Sequence, residues 1–179
     1  GEYDKAVVYY EKLFNEDRSN MIYYNYYFNC LIKLKDFGKA EKVISKQYKN
    51  NPNQLNYLVD LGFVHRSSGD EKKAIENYQR AIKNLKSDEV QIRFLAGSFM
   101  NRSLPDYAIE SYMRGRQLFK GMYNFHIELA EIYENTKNFT GMVNELVDQA
   151  AEYPSTLHKV EELMQTSMLV NVTAKLNDL

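Results

Sequence analysis

Ala6, Ala40, Ala74 and Ala108 stand 34 residues apart without insertion or deletion, and a fifth step of 34 lands on Met142. A period that long and that exact marks a chain built from copies of one helix–turn–helix unit. One such unit cannot bury its apolar face alone, so neighbouring units must stack. The expected fold is therefore all-α, a right-handed α-solenoid of antiparallel helix pairs. A fold of this kind offers surface for holding other molecules, while its repeat residues carry no reaction chemistry.

Aligned on the alanines, the 179 residues read as a single solenoid with six parts. Residues 1–20 form a half repeat with a second helix only. Residues 21–54, 55–88, 89–122 and 123–156 are full repeats, and residues 157–179 form a terminal helix or cap. In the second repeat Leu58, Leu61, Gly62 and His65 have the spacing of one helix face. "SSGDE" at residues 67–71 is the turn, with Ser, Gly and Asp where the chain must reverse. Ala74, Tyr78 and Ala81 then line the inner face of the second helix. Gly62 corresponds to Phe28, Ala96 and Ala130, and Ala81 to Gly115, but also to Leu13, Gln47 and Gln149. Small residues at these places let paired helices approach closely. Pro52 and Pro154 separate one repeat from the next, and Pro105 opens a second helix, where its missing N–H costs nothing.

The bulk numbers fit this reading. Hydrophobic residues make up 44% and charged residues 26%, a folded rather than disordered composition. No apolar run approaches the roughly 18 residues of a membrane span, and no signal peptide opens the sequence. The expected setting is soluble, cytoplasmic or periplasmic, and membrane insertion is not expected. Cys30 is the only cysteine, which excludes an internal disulfide. The abundance of Asn, Lys, Ile and Tyr suggests an AT-rich, bacterial genome. Charge is uneven: residues 1–122 hold 20 Lys+Arg and 15 Asp+Glu, whereas residues 123–179 hold 3 and 9. The chain is thus basic through most of its length and acidic toward its end, which bears on partner choice.

The pattern resembles the tetratricopeptide repeat family. The resemblance rests on Gly62 at the eighth place of its unit and on "GDEKKAIENYQRAIK" at residues 69–83. "GEYDKAVVYYEKLF" at the start repeats the same sentence. It covers residues 1–156. The family's fourth-place tryptophan is replaced by Tyr24, Leu58, Ile92 and His126, its small eighth place by Phe28 in the first full unit, and its alanine by Met142 in the fourth.

Catalytic chemistry is not expected. His65, His126 and His158 fall in different units, and a packed histidine is the plainer reading of His65. His158, Glu161 and Glu162 have the spacing of metal ligands on one helix, but without a second ligand helix they read as a solvated face. No phosphate loop, nucleophile elbow or cysteine pair is present, so no cofactor or metal is expected. Lys39, Lys42, Lys46 and Lys49 share one face of a second helix. They could meet phosphates, but the stripe does not continue into later units, so nucleic acid is not the expected partner.

The resemblance implies a concave groove lined by the first helix of each pair. It assigns Asn25, Tyr26 and Asn29 to that groove from the first full repeat, and Asn56, Asp60, Phe63 and Arg66 from the second. Ile22, Val90, Arg93, Phe94, Asn124, Glu128, Glu131 and Glu134 follow by the same places. Amides can pair with a peptide backbone, the aromatics are flat anchors, the arginines can take a carboxylate, and the glutamates form an acidic wall. The subgroup that clamps chaperone tails carries a lysine where Asn25 stands and another where Val90 stands, so that use is disfavoured. The expected function is a non-catalytic scaffold that captures a neutral to basic protein or peptide segment, with no small-molecule substrate. The alternative is a structural spacer or self-association module, and an RNA-binding helical repeat ranks below both.

Overall fold

The computed structural model describes the backbone of residues 1–177 and the side chains of residues 1–167. Ten α-helices and no strand occur among the described residues. They are α1 (Glu2–Glu16), α2 (Met21–Lys33), α3 (Phe37–Asn50), α4 (Asn56–Ser67), α5 (Glu71–Lys83), α6 (Glu89–Met100), α7 (Pro105–Phe119), α8 (His126–Asn135), α9 (Phe139–Glu152) and α10 (Leu157–Asn177). A 3₁₀ turn, Pro154–Thr156, precedes α10. None of the described helices is long and apolar enough to cross a membrane. The helices form two compact units, Gly1–Leu85 and Lys86–Leu179. The terminal helix or cap expected at residues 157–179 is described as the α10 backbone up to Asn177; its side chains beyond Ser167 and residues 178–179 lie outside the described residues.

Each helix pair is joined by the same turn. Lys35, Gly69, Ser103 and Lys137, again 34 apart, all take left-handed backbone with φ between 56° and 90°. The residue that follows each of them reaches back five positions with its amide: Asp36 to Leu31, Asp70 to His65, Leu104 to Phe99 and Asn138 to Tyr133, at 2.8–3.0 Å. This is the closure of a Schellman cap, in which a left-handed residue lets the next N–H satisfy a carbonyl of the last helical turn. The same residue then opens the second helix. Asp36, Asp70 and Asn138 accept the amides of Lys39, Lys73 and Gly141 at 3.0–3.1 Å. Leu104 has no such side chain, and Pro105 at the first helical position removes one of the amides a cap would serve.

The repeat frame is equally visible in the packing. Ala40, Ala74 and Ala108 are fully buried and Met142 nearly so. Tyr24, Leu58, Ile92 and His126, the fourth place of each repeat, are all buried. Gly62 lies against Tyr78, where a Cβ would come within 2.2 Å of the ring. Gly115 is packed against Phe125 and Ile92, where a Cβ would come within 2.8 Å of the Phe125 ring. In the first unit the Tyr24 hydroxyl donates to Asp60 at 2.7 Å, and its ring meets Tyr57 edge-on. In the second unit Ala130, Met142, Leu146 and Val160 form a core cluster joining α8, α9 and α10.

Glu11 ties α1 to the next pair. Its carboxylate accepts the Tyr27 hydroxyl and Lys39 Nζ, both at 2.9 Å. The hydrogen bond from Lys39 holds the Glu11 carboxyl below the usual range. Burial, reinforced by Glu11, pushes Tyr27 up to about 12.

The fourth pair departs from the frame. Lys120, Gly121 and Phe125 all have left-handed φ, and α8 starts only at His126. Asn124, expected on a first helix, therefore lies in the preceding loop. Phe125 is buried against Tyr112, Phe119 and Tyr123, with ring centres 4.6–6.0 Å apart. Three aromatic contacts at about 0.5–1.5 kcal/mol each outweigh about 1–2 kcal/mol for one left-handed non-glycine residue.

Three outcomes follow for stability. Lys35→Gly, Ser103→Gly and Lys137→Gly should each stabilise the chain by about 0.5–1 kcal/mol, while Gly69→Ala should cost about 1 kcal/mol, by urea unfolding. Gly62→Ala should cost about 1–3 kcal/mol through overpacking on Tyr78. Because the Glu11 pKa is depressed on folding, its stabilisation is complete above the ordinary carboxylate range and fades as pH falls through the lowered value. The stability gap between the native chain and Glu11→Gln should accordingly narrow on acidification from pH 7.

Candidate functional site

The first helices of the first unit, α2 and α4, treat their assigned residues in two ways. Asn25, Tyr26 and Asn29 are exposed on α2, one turn apart. Tyr26 is stacked on Tyr10 of α1 at 4.9 Å, which holds the ring in one orientation while leaving 52% of the residue accessible. Ile22, one turn earlier, is 63% exposed. On α4, by contrast, Asn56 and Asp60 are buried. Asp60 accepts from Tyr24, and α4 packs against both α3 and α5, so these two polar side chains point into the interior rather than at solvent. Phe63 is half-buried near Phe28, and Arg66 is exposed with only a loose 3.8 Å contact to Glu71.

The second unit repeats the α2 pattern on α6. Val90 and Phe94, at the same repeat places as Ile22 and Tyr26, are 76% and 55% exposed. Arg93 lies between them and is already engaged: it pairs with Glu89 at 2.7 Å, with Glu128, and donates to the Tyr123 hydroxyl at 2.5 Å. A partner carboxylate would have to displace Glu128. Glu131 and Glu134 stay exposed on α8. Burial and the nearby Glu128 charge raise the Tyr112 hydroxyl to about 12 and push Tyr123 upward as well. Beside Arg93 opens a recess of about 450 Å³, bounded by Tyr123, Ile127, Glu128, Gln149, Tyr153 and Lys159 among others. That volume lies within the range of pockets that enclose a ligand or several side chains.

Below the recess lies a polar network that no sequence pattern announced. His126 Nδ1 is 2.7 Å from Glu145 and 3.0 Å from Arg116, and Arg116 also binds Glu145 and the Asn124 carbonyl. Glu152 sits 3.4 Å from His126 Nε2 and accepts from Asn124 Nδ2 at 2.7 and 2.8 Å. The Asn124 hydrogen bond holds the Glu152 carboxyl below its usual range. His126 occupies the buried fourth place, where the other repeats have Tyr, Leu and Ile. A buried imidazole requires partners, and Glu145 and Arg116 supply them from α9 and α7. The signal that could have revealed it was the polar side chain at an otherwise apolar repeat place.

The remaining titratable candidates are unremarkable in position. His65 is buried in α4, and His158, Glu161 and Glu162 are exposed. Among the described residues no three His, Cys, Asp or Glu side chains converge to hold a metal ion.

Breaking the network from one side should be costly. Glu145→Ala should destabilise the second unit by about 3 kcal/mol, because it leaves Arg116 and His126 without their buried acceptor. The triple change Arg116→Met, His126→Leu, Glu145→Leu should recover most of that loss in urea unfolding.

Residues 55–84, which span α4, its closing turn and α5, match the family model of the tetratricopeptide repeat. No curated protein matches the chain. Repeats of this family in general mediate protein–protein interaction and act as non-catalytic scaffolds. Residues 55–84 thus form a tetratricopeptide repeat, set among pairs of the same period and the same closing turn.

Proposed function

We propose that the chain is a scaffold that captures a protein segment on the exposed faces of its first helices. The observation that carries this reading is a repeated exposure of apolar side chains. Ile22 and Tyr26 on α2, and Val90 and Phe94 on α6, occupy identical repeat places and all are more than half exposed. Large apolar side chains left in water at corresponding places mark surface kept for a partner. Asn25 and Asn29 add amides that can pair with a peptide backbone. The recess beside Arg93 offers space for side chains, bounded by Glu128 and Lys159. Glu128, Glu131 and Glu134 favour a segment that is neutral to basic where it meets α8. Asn56 and Asp60 are not contacts in this reading, because they are buried.

A second reading has its own observation. Tyr3, Val8 and Tyr9 on α1 are 47%, 67% and 61% exposed, which suits self-association through that helix. Concentration-dependent dimers that Val8→Asp abolishes, seen by light scattering, would favour it.

The direct test places a photo-crosslinking phenylalanine analogue at Phe94 and, as a control, at Val147 on α9. A partner crosslinked from position 94 and not from 147, and bound at least about tenfold more weakly by Tyr26→Ala/Phe94→Ala with unchanged thermal stability, is the expected result. Equal crosslinking from both positions would refute groove capture.

A further inference from the structure

We propose that a slot between α1 and α3 is a second docking site, on a different face from the first helices, for a short acidic peptide segment with one apolar side chain. The slot has a volume of about 190 Å³ and is lined by residues of α1, α2 and α3 and the link after α1. It is smaller than the roughly 300–1,000 Å³ of pockets for drug-sized ligands, so it suits a single side chain rather than a whole small molecule. Its floor is apolar: Phe14 and Tyr27 are buried and Val43 is half-buried. Its rim is cationic, with Arg18, Lys42 and Lys46, all exposed.

The charge balance selects the partner. Of the four cations that line the slot, Lys39 is already matched by Glu11, the only acidic lining residue. None of the other three makes an ion pair among the described residues. Gln47 holds the rim in place: it is buried and donates from Nε2 to the Arg18 carbonyl at 2.6 Å, bridging α3 to the link after α1. At the same repeat place the next two pairs have Ala81 and Gly115, too short to span such a gap, while the fourth has Gln149. A solvated helix face would account for the lysines alone. It does not account for an apolar floor enclosed by three uncompensated cations. An acidic segment that seats one leucine-sized side chain on Phe14 and Val43 satisfies both features.

The test uses the full chain and a fluorescein-labelled pentapeptide, Glu-Glu-Leu-Glu-Glu, followed by anisotropy at low salt. Binding should weaken at least about tenfold in Lys42→Glu/Lys46→Glu. It should stay within about twofold in Lys49→Glu, which carries the same charge change on α3 outside the slot. Replacing the peptide's leucine by serine, or its glutamates by glutamine, should abolish binding. Tyr26→Ala/Phe94→Ala should leave it intact, which separates this site from capture on the first helices. The proposal is overturned if the peptide does not bind, if Lys49→Glu weakens it as much as the double reversal, if the serine peptide binds equally, or if single-stranded RNA binds the slot more tightly than the peptide.

Discussion

Every helix pair depends on one left-handed residue. Lys35, Gly69, Ser103 and Lys137 turn the chain so that the next amide closes the first helix, and the same residue begins the second. One residue therefore ends one helix and starts another, leaving no slack in the connection. That tightness sets the angle between paired helices and allows Gly62 to approach Tyr78. Only one of the four positions is glycine. The other three accept a backbone cost because the cap bonds and the packing beyond them overdetermine the conformation.

The second constraint is the buried fourth place. Tyr24, Leu58 and Ile92 fill it with largely apolar bulk, and Tyr24 turns its hydroxyl to Asp60. His126 fills it with a polar ring, and the surroundings change accordingly. Glu145 and Arg116 meet it from α9 and α7, beside the loop that Phe125 anchors before the shortened α8. One substitution at a repeat place thus accounts for an ionic cluster beneath the recess in the second unit. The recess and the network share His126, so the surface that would receive a partner rests on the polar core.

Exposure divides the surface by chemistry. On α2 the exposed residues include Ile22, Tyr26 and two asparagines, and on α6 the apolar Val90 and Phe94 recur at the matching places beside Arg93. On α3 they include Lys42, Lys46 and Lys49, and the first two frame an apolar slot between α1 and α3. Two faces of the same repeat can therefore present different recognition chemistry without altering the core, because outward positions are free of the packing that constrains the inward ones.

Much was legible in the sequence because it is local. The period of 34, the helix pairs, the small residues at close approach and the proline at the start of α7 all follow from spacing and residue size. The exposure of Tyr26 and Phe94 was also readable, since it needs only the helix frame to be placed. What the sequence did not reveal lies where one helix meets another. Asn56 and Asp60 have the same repeat places as Ile22 and Tyr26, yet they are buried, because α4 has neighbours on both sides that cover them. The left-handed Lys35, Ser103 and Lys137 carry no glycine signature, and the loop that shortens α8 depends on three rings converging on Phe125. Periodicity determined which residues form helices and which face turns inward; only the tertiary packing decided which polar groups are enclosed, because burial is a property of the neighbours and not of the residue.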